Sequence, residues 1–174
     1  QVLSEIQHAD SFGVEVSQPK PVFDKIISRP RDVASKLSGG VAYLMKKNKV
    51  EVVNGFGKLL KDKKLLVTDK SGATQTLSFK DIIIATGARA RSIPGVEVDG
   101  KVVHTYRSIL ENKVQPKKLL VIGAGAIGVE FAYFFHTLGV DVTLVEMLDR
   151  ILPVEDHEAS DTLLKIFLKR GLKV

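Results

Sequence analysis

The segment Leu119 to Glu146, LLVIGAGAIGVEFAYFFHTLGVDVTLVE, constrains the fold more than any other part of the chain. Its apolar run Leu119-Leu120-Val121-Ile122 reads as a buried strand that enters Gly123, Gly125 and Gly128, spaced G-x-G-x-x-G. A helical stretch to about Leu138 follows, then a turn at Gly139, a second strand Val142-Thr143-Leu144-Val145 and an acid, Glu146. Strand, glycine turn, helix, strand and acid in this order spell a βαβ segment that binds a dinucleotide.

Each residue type has a physical task. Gly123 permits the tight turn, Gly125 has no side chain to keep the backbone from a pyrophosphate, and Gly128 lets the helix lie close to the strand. The free N–H groups and positive dipole end of the helix then face the diphosphate. Glu146 stands 18 residues beyond Gly128, near the spacing of an acid that accepts hydrogen bonds from a ribose. A carboxylate there repels a 2′-phosphate, which favours NAD over NADP. Arg150 complicates this, because an arginine near the strand end can accommodate such a phosphate. The competing reading, a merely structural glycine turn, does not account for the flanking strand, helix and acid together.

The 174 residues suggest one or two domains, and an apolar share of 44% is that of a soluble globular protein. Charges interrupt every apolar stretch well short of a membrane span, and no signal-peptide pattern is present, so no membrane partner is expected. With no cysteine, the chain has no disulfide, thiolate metal site or cysteine nucleophile; no metal site is expected. The net charge of +6 gathers in Lys46-Lys47-Asn48-Lys49 and Lys61-Asp62-Lys63-Lys64. Neither cluster interleaves with aromatics, so solvated turns and helix ends are expected rather than a nucleic-acid surface.

Along the chain, Gln1 to Ala9 reads as the tail of a helix that starts in mid-element, followed by a turn at Gly13. Pro19, Pro21 and Pro30 mark a loop with a short helical possibility at Val22 to Ser28. Val33, Leu37, Val41 and Leu44 predict a helix from Arg31 to about Lys47, interrupted at Gly39-Gly40, where either the helix bends or something packs close. Strands are predicted at Val50–Val53, Phe56–Leu60, Leu65–Thr68 and Thr74–Phe79, and Ile82-Ile83-Ile84-Ala85 reads as a buried strand ending at Thr86-Gly87. A short helix near Ser108 to Glu111 leads into the βαβ segment. An amphipathic helix after Pro153 ends at Gly171, and Leu172-Lys173-Val174 opens a possible third parallel strand. The chain divides near His104.

Three stretches together, DVASKLSGGVAYLMKKNKVEVVNGFGK, DIIIATGARARSIPG and LLVIGAGAIGVEFAYFFHTLGVDVTLVEMLDRILP, resemble the dihydrolipoamide dehydrogenase family. The likeness covers nearly the whole chain and is weakest over the first thirty residues. Glutathione and mercuric reductases share the architecture. The resemblance implies an α/β fold of two nucleotide-binding, Rossmann-like domains, both incomplete here. Residues 1–104 would be the later, β-rich part of an FAD-binding domain and 105–174 the first βαβα of an NAD-binding domain. It implies FAD contacts at Gly57 and along Thr86-Gly87-Ala88. It likewise implies an NAD site lined by Gly123, Ala124, Gly125, Ala126, Ile127, Gly128, Val129 and Glu130, with Glu146 on the adenosine ribose. Read from the residues alone, Gly57 is equally an ordinary turn glycine, and Glu130 a simple first-turn acid rather than a neighbour of the nicotinamide.

The departures from the family's pattern matter as much. Its first G-x-G-x-x-G and C-x-x-x-x-C disulfide are not in this sequence, and none of His8, His104, His136 and His157 stands in the His-Glu dyad of its dimerisation domain. The chain is therefore expected to be an interior stretch that holds cofactors, contains no catalytic residue and does not turn over alone. The implied parent is an oxidoreductase that takes electrons from dihydrolipoyl groups on an acyltransferase of a 2-oxo acid dehydrogenase complex. It would work as a homodimer in a bacterial cytoplasm or mitochondrial matrix. The alternatives are a mercuric or coenzyme disulfide reductase, and a non-catalytic NAD-binding module.

Overall fold

The computed structural model describes residues 2–174. They divide into two compact units, residues 2–29 with 92–174, and residues 30–91.

The first unit contains a parallel two-stranded sheet. Strand β4 (Lys118–Ile122) pairs with β5 (Asp141–Val145) in register from Lys118 opposite Asp141 to Ile122 opposite Val145. They are joined by helix α4 (Ala126–Thr137), and β5 is followed by helix α5 (His157–Lys169). A parallel pair cannot be closed by a hairpin, so the α4 crossover is what this register demands. The third strand expected at the end begins as a parallel bridge from Thr143 to Lys173, with Leu144 N–H donating to Lys173 O at 2.8 Å.

The core of this unit follows the helix period. Val129, Ala132 and Phe135 of α4 share a core with Val140, Val142 and Leu144, which Leu172 and Phe167 of α5 complete, the Phe167 ring stacked on Tyr133 of α4 with centroids 6.4 Å apart. Helix α5 starts where Asp156 Oδ1 accepts from Glu158 N–H and Ala159 N–H at 2.9 and 3.2 Å, an N-cap. This is the amphipathic helix expected after Pro153. Two further helices, α1 (Val2–Gln7) and α3 (Tyr106–Ile109), agree with the expected N-terminal helix and the short helix before the βαβ segment.

One helix departs from expectation. The two segments separated by Pro30 form a single helix, α2 (Phe23–Lys47), whose first turns belong to the first unit and the remainder to the second. Proline removes one intrahelical bond, yet Phe23 and Ile27 are buried within the two turns before it, and Phe23 packs on Phe135 with ring centroids 6.1 Å apart. Core anchorage outweighs the local break. At Gly39 and Gly40 an added Cβ meets nothing within 4 Å, so close packing does not explain the pair.

The second unit holds an antiparallel meander of β1 (Phe56–Leu60), β2 (Lys64–Thr68) and β3 (Thr74–Ser78), in the order β1-β2-β3. Asp69 Oδ1 accepts from Ser71 and Ala73 N–H in the second turn, between the strands expected at Leu65–Thr68 and Thr74–Phe79. Two expected strands are absent. Val50–Val53 has no ladder partner, and Ile82–Ala85 has no regular secondary structure and is exposed, with Ile83 92% accessible. An apolar run becomes a buried strand only where neighbours flank it, and no described strand pairs with this one.

Candidate nucleotide site

At the end of β4 the backbone turns on Gly123, whose φ of +98° lies in the region closed to most side chains. Its N–H donates to Val145 O at 2.8 Å, which ties the turn to the end of β5. Gly125 is the N-cap of α4, and an added Cβ there meets nothing within 4 Å. Gly128 is the opposite case: a Cβ would stand 1.8 Å from Gly123 O. The structure itself thus requires glycine at two of the three positions, for the left-handed turn at Gly123 and the contact between helix and turn at Gly128, while Gly125 has open space in front of its backbone. Ala126, Ile127 and Val129 form the first turn of α4, where the leading N–H groups have no intrahelical acceptor and the dipole is positive. Val129 N–H is the first to bond back, to Gly125 O at 3.0 Å. Glu130 lies just beyond, exposed.

Glu146 follows β5 directly. Its Oε2 accepts from Ala124 N–H at 2.6 Å, and its Oε1 accepts from Met147 N–H at 2.8 Å and Leu148 N–H at 3.1 Å. These amides, Ala124 foremost, hold the carboxyl below the usual glutamate range, so it is ionised at neutral pH. The sequence places Glu146 at a ribose-binding position; the structure adds that it grips the glycine turn. A carboxylate offers about four acceptor positions, so three amides leave room for a hydroxyl.

Arg150 does not extend outward. Its Nη2 donates to Pro153 O at 2.7 Å, while Nη1 is buried without a partner. Sequence reasoning missed this inward placement and also missed the part of Leu152, whose N–H donates to Ala124 O at 2.7 Å. The only hint was the apolar Ile151-Leu152 pair after the acid.

The residues expected at a second nucleotide lie in the other unit. Gly57 is not in a turn; it sits within β1 opposite Val67, and a Cβ there would approach Leu65 Cδ1 to 3.3 Å. Thr86, Gly87 and Ala88 lie in a stretch without regular secondary structure, outside that sheet, with Gly87 at φ +70° and open space around it. Among the described residues, no helix is long and apolar enough to cross a membrane.

Residues 3–174 match the family described as pyridine nucleotide-disulphide oxidoreductase. A dihydrolipoyl dehydrogenase of Zymomonas mobilis is 48% identical over 174 residues, covering 100% of this chain and 37% of that protein. One of Rhizobium etli is 41% identical over 189 residues, covering 100% of this chain and 39% of that protein. The crystal structure of LpdA from Mycobacterium tuberculosis superposes with a TM-score of 0.90 at 28% identity, over 99% of this chain and 38% of that one. The chain thus spans somewhat over a third of the length of these relatives.

Proposed function

This chain belongs to the pyridine nucleotide-disulphide oxidoreductase family, and we propose that it holds the cofactors of an FAD-dependent, NAD-linked dihydrolipoyl dehydrogenase. The observation that carries the reading is the glycine turn with Glu146 at its side. Gly125 leaves the space a diphosphate needs, the α4 N-terminus supplies its donors, and Glu146 stands ready as an ionised acceptor. Ala124 to Glu130 would then line the NAD site. An anionic Glu146 and an Arg150 turned onto Pro153 O both oppose a 2′-phosphate, which favours NAD over NADP.

In this proposal residues 1–104 belong to an FAD-binding domain and 105–174 to an NAD-binding domain. Gly57 and Thr86-Gly87-Ala88 would bring backbone against the flavin nucleotide. Flavin and nicotinamide supply the redox chemistry when bound; the residues of this chain bind, orient and screen them. Electrons would pass from a dihydrolipoyl group on an acyltransferase of a 2-oxo acid dehydrogenase complex, by way of a disulfide, to FAD and on to NAD⁺. The intact enzyme would be a homodimer in a bacterial cytoplasm or mitochondrial matrix. The relatives above bear the dihydrolipoyl dehydrogenase name, and no observation favours a mercuric or coenzyme disulfide reductase instead.

Calorimetric titration with NADH and NADPH tests the reading. Binding of NADH with a clear preference over NADPH is the expected result. A folded protein that binds neither, or prefers NADPH, refutes it.

A further inference from the structure

Ala124, the residue between the first two glycines, is fully buried, and both of its backbone polar groups are taken by the segment after β5. Its N–H donates to Glu146 Oε2 at 2.6 Å and its carbonyl accepts from Leu152 N–H at 2.7 Å. The peptide planes on either side of Ala124 are therefore each pinned once, the first by a side chain and the second by backbone. Across a trans peptide the N–H points opposite to the carbonyl, so the Leu152 bond also turns Gly125 N–H away from Leu152. Leu152 holds a left-handed conformation, φ +47°, and its own carbonyl accepts from Ser160 Oγ of α5 at 3.2 Å. The second plane is thus braced through α5, whereas the first depends on the Glu146 carboxylate. A donor buried this deeply cannot turn to water when its acceptor is removed.

We infer that Glu146 is a positioning residue for the diphosphate-binding turn, acting through Ala124 N–H and independently of any hydrogen bond it gives the ribose. The inference rests on the nucleotide reading above. It predicts that Glu146 controls affinity for a ligand that has no ribose at all.

Inorganic pyrophosphate is such a probe, titrated by calorimetry, and by competition with NADH, into the full-length protein that carries this sequence. Glu146→Ala is expected to weaken pyrophosphate roughly tenfold, the scale of one buried unsatisfied donor. Glu146→Gln keeps an acceptor oxygen for Ala124 N–H and is expected to restore affinity to within about twofold. Pyrophosphate affinity unchanged in Glu146→Ala overturns the inference and leaves the carboxylate to the ribose alone; failure of the Gln variant to rescue overturns it as well. Should the Ala variant not fold, the Ala124 amide proton of the wild-type protein is decisive. It is expected far downfield, moving as Glu146 titrates, and an ordinary, pH-independent shift overturns the inference. Wild-type protein that binds neither NADH nor pyrophosphate refutes the nucleotide reading itself, which distinguishes that failure from this one.

Discussion

A Cβ on Gly128 would lie 1.8 Å from the carbonyl oxygen of Gly123 and 3.0 Å from its carbonyl carbon, so helix α4 touches the turn that precedes it with no room for a methyl group. Gly128→Ala must push helix and turn apart, and overpacking of this kind costs about 1–3 kcal/mol or more. Gly125→Ala meets no atom within 4 Å at an ordinary φ of −69°, so its stability is expected to stay within about 0.5 kcal/mol. Its methyl group nevertheless occupies the space proposed for the diphosphate. Urea denaturation should separate the two variants by stability, and NADH titration should show Gly125→Ala weakened despite an intact fold. Normal NADH affinity in Gly125→Ala would remove the diphosphate from this turn.

Four carboxylates, Asp69, Asp99, Asp141 and Glu146, are held below their ordinary range, and two of them illustrate the chain's sensitivity to acid. Glu146 is held below its ordinary range by the Ala124, Leu148 and Met147 amides, and Asp99 is lowered to about 2 by the Lys101, Val103 and Val102 amides. Both folded values lie below the unfolded ones. The stabilisation each provides is complete above the unfolded value, near pH 4, and is lost as pH falls through the folded value. Carboxyl-carbon NMR is expected to show Asp99 titrating near 2 and Glu146 below a free glutamate. A normal Glu146 midpoint would mean that its bond to Ala124 is not formed in solution.

The βαβ segment was readable because each requirement is met within a few residues: a left-handed φ at Gly123, open space at Gly125, contact at Gly128. What escaped was the grip on Ala124, which looks interchangeable in the motif and is held by an acid 22 residues away. Pro30 misled for a related reason. The local rule says that a helix breaks there, while burial of Phe23 and Ile27, visible only in three dimensions, carries α2 through it. Ile82–Ala85 has the composition of a buried strand, but burial is supplied by neighbours and is not a property of the run itself.

Lys49 occupies a left-handed position, φ 56°, just past the end of α2. Its N–H donates to Lys46 O at 3.1 Å and Val50 N–H donates to Met45 O at 2.9 Å, the bonding pattern of a helix C-terminus that favours glycine. The left-handed region penalises a Cβ by about 1–2 kcal/mol, against which glycine loses some unfolded-state entropy. Lys49→Gly is therefore expected to stabilise by about 0.5–1 kcal/mol, and Lys46→Gly, inside the helix, to destabilise by about 1 kcal/mol. Thermal melts compare them directly. Equal destabilisation by both would show that the turn after α2 does not hold this conformation in solution.

The exposed apolar side chains set the solution behaviour of the 174 residues taken alone. Ile83 and Ile84 are 92% and 66% accessible in the second unit, and in the first Leu120 and Ile122 on β4 are each more than half exposed. Apolar side chains exposed next to one another in this way, and strands with unpaired edges, promote association. Sedimentation velocity is expected to show a weight-average coefficient that rises with concentration. Ile83→Lys with Ile84→Thr should reduce this rise without lowering the melting temperature, because neither side chain is packed in the core. A concentration-independent monomer in the unmodified chain would show that these residues are covered in solution.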